Sequence, residues 1–498
     1  MTRSITISLL TVALFLASPA RAQDSDLFDV VIENGRVMDP ETGLDGVRYV
    51  GIRGGTIDAI STVELSGRTT IDATGLVVAP GFVDLHAHGQ TARANEFQAM
   101  DGVTTALELE GGVPNIDLFL ATRRNDAIIN YGASIAHAYI RTLAMPELAG
   151  EYKAAMAALA SAAEADLTQA RQRFDRAALS GLWVNVQPED YDALMAGMVE
   201  QINKGGLGIG VPHQYYPGAT YDEILRVFEF AADVDVPIFT HVRDMGVAAV
   251  QEVIANAAIT GASLHIVHLN SSSLGDYRTN LDLVRGAQKR GLDVTTEAYP
   301  YTAASTSIES AIFHPGWQEK LGITYSDIVW QDTGERLTEE TFNAYREQGG
   351  IVIIHMMKPE WIRALVSDPI VMIASDGMPY APGAHPRSAG TYSRFLGKYV
   401  RDEGVIDLMG ALKKITLMPA QRMEGVAPSM KRKGRIQAGA DADITMFDPD
   451  YIIDTATFED DLSFSRGVEY VMVNGTLVVN EGALVEGARP GRPVLGGR

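Results

Sequence analysis

Residues Gly81 to His88 read GFVDLHAH, a short apolar run that closes on two histidines spaced two apart. In an extended strand, residues two apart share a face, so both imidazoles point the same way and can hold a metal ion between them. A strand ending in two hydrogen-bonded histidines, with no ion, is the competing reading of this octapeptide taken alone. Further acids and imidazoles close other strand-like runs: Glu108 and Glu110 in VTTALELE, His241 in VPIFTHVRD, His268 in LHIVHLN and Asp376 in VMIASDG. In a barrel of alternating strands and helices, the carboxyl ends of all strands open at one mouth, so ligands scattered through the sequence converge there.

The pattern around these runs supports such a barrel. From Gly81 to about Met418, strand-like runs alternate with helical ones such as EYKAAMAALASAAEADLTQARQRFDRAAL, YDALMAGMVEQINKG and YDEILRVFEFAADV. GFVDLHAH, VTTALELE, ASIAHAYI, GLGIGV, VPIFTHV, LHIVHL, LDVTTEAYPY and PIVMIASD are the eight candidate strands. The stretch 302–350 is long for a connection and rich in polar and aromatic residues, which suggests a lid insertion over the mouth. Both flanks have a different texture. VVIENGRVMD, VRYVGIRGGTIDAI and TTIDATGLVVA at one end, and RIQAGADADITMFDPD and VEYVMVNGTLVVNEG at the other, alternate apolar and polar residues around Asn-Gly and Gly turns. The expected fold class is therefore α/β: a TIM-type (β/α)8 barrel over 81–418, with a small β-sandwich domain built from both chain ends, 23–80 and 419–498.

Composition narrows the function classes. The 498 residues, 46% of them hydrophobic, suffice for a large core and a second domain. There is no cysteine, which excludes disulfides, thiolate ligands and a cysteine nucleophile. The opening MTRSITISLLTVALFLASPARAQD combines Arg3, an apolar stretch and the small-residue site Ala20-Arg21-Ala22, so a signal peptide over 1–22 and export to a periplasm or the cell exterior are expected. Losing Arg3 and Arg21 takes the formal charge from −22 to −24, a surface that repels nucleic acid and anionic lipid. No later segment is long and apolar enough to predict stable membrane insertion. A small-molecule substrate is the expected partner.

The chain resembles the amidohydrolase superfamily and, within it, the N-acyl-D-amino-acid deacylase (D-aminoacylase) family. The resemblance covers nearly the whole chain after the leader and rests on PGFVDLHAH, GVTT, GGLGIGVPHQYYPGATYDEIL, THVRD, HIVHLN, VMIASDG, HPRSAGTYSRFLGKYVRDEG and KGRIQAGADADITMFDP taken in order. It implies hydrolysis of the amide of N-acyl-D-amino acids by a metal-bound hydroxide, with one or two Zn2+ per chain. His86, His88 and Asp376 would form one site, with Asp376 also shuttling the proton, and His241 and His268 the second. For His241, His268 and Asp376 the competing reading is structural, as buried histidines and a turn-forming aspartate. Histidine and carboxylate ligands without thiolate also suit manganese, cobalt or iron.

The chain departs from the family pattern twice. D-aminoacylases place a cysteine ligand after the GVTT strand, whereas GVTTALELEGG offers acids. Glu110, nearer the strand end, is the preferred replacement and can bridge two ions, with Glu108 second. Lys204, the nearest candidate for a carboxylated lysine, precedes its strand and belongs to the wrong barrel end. The family's substrate-binding lysine is replaced by Asn270, leaving Tyr215, Arg243 and Arg387 as further candidates to hold the substrate. His137, His213, His355 and His385 also lie near strand ends but are not expected to be ligands. Two alternatives stay open: the same chemistry on a dipeptide, a cyclic amide or lactone or an amide-linked xenobiotic, or a non-catalytic binding protein on the same barrel. The complete ligand set argues against the last.

Overall fold

In the computed structural model, which describes residues 27–163, 166–460 and 462–497, eight parallel strands pair in chain order: β1 (Phe82–Asp84), β2 (Val103–Val113), β3 (Asn130–Ala136), β4 (Ile209–Pro212), β5 (Ile238–His241), β6 (Leu264–Ile266), β7 (Val294–Ala298) and β8 (Val371–Ile373). The leader expected over 1–22 lies outside the described residues. An isolated parallel bridge between Ala87 and Gly377 closes the seam between β8 and β1, helped by Ser375, whose backbone N–H and hydroxyl both donate to the buried Asp84 carboxylate (3.1 and 2.5 Å).

Strand alternation divides the apolar residues into two layers. Val83, Leu85, Leu107, Leu109, Phe239 and Val267 fill the interior, while Ile135, Ile209, Ile238, Leu264 and Val371 pack outward against helices. The helix Tyr221–Asp233 shows why those helices form. Thr220 caps it by accepting from the Glu223 N–H, and Ile224, Val227, Phe228 and Ala231 recur at helical spacing and are buried.

A single nine-stranded sheet joins the two chain ends. Val77–Pro80 pairs antiparallel with Ile444–Phe447 on one side and parallel with Phe28–Asp39 on the other, around a core that includes Ile32, Val50, Ile57, Val78 and Met472. The extreme C-terminus does something else. Val494 N–H donates to Tyr131 O (2.7 Å), and its side chain packs with Leu107, Leu207 and Phe239 in the barrel core.

Two long excursions leave the barrel at the mouth. The first follows β3. The sequence pattern extends a strand through ASIAHAYI, but the strand ends at Ala136 and His137 opens the helix His137–Ala144, in which the buried His137, Ile140, Arg141 and Ala144 recur at helical spacing. The following helical pattern is split into Pro146–Ser161 and Leu167–Leu179. The second excursion, the expected lid, contains a three-stranded antiparallel sheet of Ala303–Ser307, Ile328–Trp330 and Ile351–His355. Ser305, Thr306, Ser307 and Ile351 from it wall one side of the mouth.

Candidate metal centre

At the C-terminal ends of β1, β2, β5, β6 and β8, six side chains surround one space. His86, His88 and Glu110 can offer ligand atoms to one ion, Glu110, His241 and His268 to another, and His86, His268 and Asp376 form an overlapping group between them. Glu110 stands at the junction. Its Oε1 lies 3.1 Å from His241 Nδ1 and 3.5 Å from His268 Nε2, and its Oε2 lies 3.6 Å from His86 Nε2 and 3.4 Å from His88 Nε2. Close approach of β4 helps place it. A Cβ on Gly210 would fall 2.4 Å from the Glu110 carbonyl oxygen, so only glycine fits there.

Each imidazole is fixed from behind by its other nitrogen. His86 Nδ1 contacts Glu297 Oε1 at 2.6 Å, His88 Nδ1 contacts Glu108 Oε2 at 2.9 Å, His241 Nε2 contacts Gln214 Oε1 at 2.6 Å, and His268 Nδ1 contacts Ser272 Oγ at 3.2 Å. A carboxylate or amide oxygen only accepts, so in the first three rings the outward nitrogen carries the proton and the inward one presents a lone pair to the centre. This is the arrangement in which outer carboxylates and amides orient metal-ligating histidines. Glu108, the second choice for bridging ligand, is thereby committed to His88 and stands outside the ligand groups.

The charges agree with a cation site. Burial works to raise the Glu110 carboxyl, but His241, His268 and His86 outweigh it and hold the group well below the usual range. For Asp376, burial is likewise overcome, first by Arg387 and then by His86, His88 and His268, so the carboxyl stays ionised. Burial also opposes ionisation of Glu297, yet His86 and His265 bring it down to about 2. Two centre residues, His268 (φ +31°) and Asp376 (φ +51°), have left-handed backbones, a strained geometry that accumulates at functional sites.

The residues proposed to hold substrate are distributed differently. Tyr215 lines the mouth, its ring edge-on to His241 and its hydroxyl accepting from Thr306 Oγ1 at 3.2 Å. Arg387 is buried behind Asp376, with Nη1 2.9 Å from Asp376 Oδ2 and its guanidinium over the Tyr299 ring. Arg243 is not at the mouth. The chain turns outward after His241, and Glu252 grips the guanidinium at 3.0–3.2 Å on the far side of Gln214. Asn270 is also turned away: its Nδ2 donates to Tyr299 O at 3.3 Å, and it does not line the cavity. His137 contacts Tyr216 and Glu223, His385 donates to Ala303 O, His355 lies edge-on to Phe458, and His213 lines the neighbouring cavity with Arg243; none joins a ligand group.

Glu297, His265, Gln214, Ser272 and Asp84 complete the surroundings and were not singled out by the sequence. The one available signal was an acid inside an apolar strand, in GFVDLHAH and in VTTEAY. Gln214→Leu keeps the volume but leaves His241 Nε2 without its acceptor. It is expected to weaken metal binding by about 10- to 100-fold, measured by competition with a chromophoric chelator, with the thermal melt of the chelator-stripped protein little changed.

Comparison with known proteins gives a consistent picture. A profile of the amidohydrolase family matches residues 69–479. D-aminoacylase of Alcaligenes xylosoxydans xylosoxydans is 29% identical over 94% of this chain and 98% of its own. N-acyl-D-glutamate deacylase of the same organism is 30% identical over 93% and 96%. Among solved structures, N-acyl-D-glutamate deacylase from Bordetella bronchiseptica, solved with zinc and a phosphonate inhibitor, superimposes with a TM-score of 0.78 at 24% identity, over 94% of this chain and 99% of that one. A D-aminoacylase crystal structure gives a TM-score of 0.75 at 25% identity, over 94% and 100%.

Proposed function

The chain belongs to the amidohydrolase family, and from that premise we propose that it hydrolyses the amide bond of N-acyl-D-amino acids at a zinc-containing centre held by His86, His88, Glu110, His241, His268 and Asp376. The observation that carries this reading is the pair of ligand groups sharing Glu110, with an ionised Asp376 beside them. The ligand set fits the ion: four imidazoles, three of them with lone pairs fixed inward, and acids without thiolate suit zinc. When bound, zinc supplies a lowered pKa for an attacking water and polarises the scissile carbonyl.

The protein's own groups do the rest. Asp376, kept charged by Arg387, is placed to take the proton of the attacking water and return it to the departing nitrogen. Tyr215 fixes one wall of the mouth beside His241. The amino-acid half of the substrate is expected on the β7–β8 side. There Arg387 Nε makes no hydrogen bond and the Tyr299 hydroxyl makes none of normal geometry, although Ser271 and Arg387 flank it; both are donors suited to a carboxylate. The leader-like start of the sequence supports export.

The test is hydrolysis of paired N-acetyl-D- and N-acetyl-L-amino acids, including leucine, methionine and glutamate, by the zinc-loaded protein. Turnover confined to the D series is expected. Turnover of L substrates alone, or of none, would overturn the reading.

A further inference from the structure

Resting on the deacylase reading, we propose that the acyl half of the substrate is a medium-length apolar chain rather than acetyl. The cavity that opens from the ligands has a volume of about 410 Å³, in the range that encloses most of a drug-sized ligand and generous for an acetylated amino acid. Its outer wall is apolar: Ala138, Tyr139, Leu179 and Leu182 from the excursion after β3, with Ile351 and Met378 opposite. Among the described residues no arginine or lysine lines it, and its only acids are Glu108, Glu110 and Asp376 at the centre.

Orientation decides which half of the substrate meets this wall. The leaving nitrogen must face Asp376, which ends β8, and Arg387 lies directly behind it. That places the amino-acid half toward β7 and β8. The acyl half then points across the barrel, toward Gly111 and Gly112 at the end of β2, Tyr139 after β3 and Pro212 at the end of β4, which is the side carrying the apolar wall.

A second observation points the same way. Leu179, on the apolar wall, is itself 45% exposed, and in the same excursion Trp183 is 58% exposed with its ring edge-on to His314 of the second excursion at 5.4 Å. Single exposed apolar residues are ordinary, but Leu179 both lines the cavity and reaches solvent, so an apolar chain laid along this wall would cover it.

The experiment compares kcat/KM for acetyl, butanoyl, hexanoyl and octanoyl D-leucine, and in parallel the calorimetric binding of acetate and octanoate to the zinc-loaded protein. Each fully buried methylene is worth about fourfold. Partial burial across the series should leave octanoyl favoured over acetyl by at least about tenfold, with octanoate binding correspondingly tighter. Leu182→Glu, and independently the more exposed Leu179→Glu, should shrink both ratios. A flat or falling series, with octanoate bound no more tightly than acetate, would overturn the proposal. Should no N-acyl-D-amino acid be hydrolysed at all, the deacylase reading fails, while the octanoate titration still decides whether the channel takes an apolar chain.

Discussion

Glu110→Ala is expected to strip both ligand groups of a shared member, so that bound metal falls below one ion per chain and kcat/KM drops by about 10³-fold or more. The magnitude follows from position. Mutating an outer-shell partner costs about 10- to 100-fold, and Glu110 is no outer-shell residue, since its two oxygens face two different pairs of imidazoles at 3.1–3.6 Å. It also supplies negative charge where a divalent ion would be held, and burial leaves little solvent to screen that charge. Glu108→Ala serves as the comparison: it should loosen the His88 ring and reduce activity only within the outer-shell range. If the two variants behave alike, Glu110 is not the bridging ligand. Metal analysis of the dialysed proteins beside steady-state kinetics separates the outcomes, and a thermal melt excludes simple unfolding.

Asp376→Asn should leave the substrate bound and the chemistry slow. Losing a positioned proton carrier costs about 10²- to 10⁴-fold, and asparagine keeps the shape and one oxygen while being unable to take the proton. Backbone strain does not confound the substitution, because asparagine tolerates the left-handed conformation that Asp376 adopts (φ +51°). The loss should fall mainly on kcat, with KM changed little. A second effect is expected on stability: Arg387 is 1% exposed and loses its charged partner, and breaking a buried pair typically costs about 3–5 kcal/mol. Normal kcat in Asp376→Asn would remove Asp376 from the proton path.

Much of the centre was legible in the sequence for a physical reason. In a barrel, position along a strand fixes which end a side chain reaches, and His86, Glu110, His241, His268 and Asp376 each close an apolar run. Alternation put Glu108 and Glu110 on one face, and only distance along the strand favoured Glu110, the one that falls in the ligand groups. Other features depend on where the chain goes after a strand. Arg243 follows His241, a candidate ligand, by two residues, yet the loop carries it to Glu252, which lies on the next helix. Asn270 occupies the position of a family substrate residue, but the short helix Leu269–Ser273 turns it toward the Tyr299 carbonyl. Gln214, Ser272 and Glu297 act only through the imidazoles they fix, and those pairings span from 4 to 211 residues. The C-terminal strand texture gave no warning that Val494 would end in the barrel core, because a lone valine after a Gly- and Pro-rich stretch carries no periodicity.

The most direct test of the account is a zinc titration of the chelator-stripped wild-type protein, with bound metal and hydrolysis of an N-acyl-D-amino acid followed together. The account predicts that stripping abolishes turnover, that zinc restores it, and that saturation is reached at two ions per chain. Full turnover in the stripped protein, or a folded protein that binds no zinc, would contradict it.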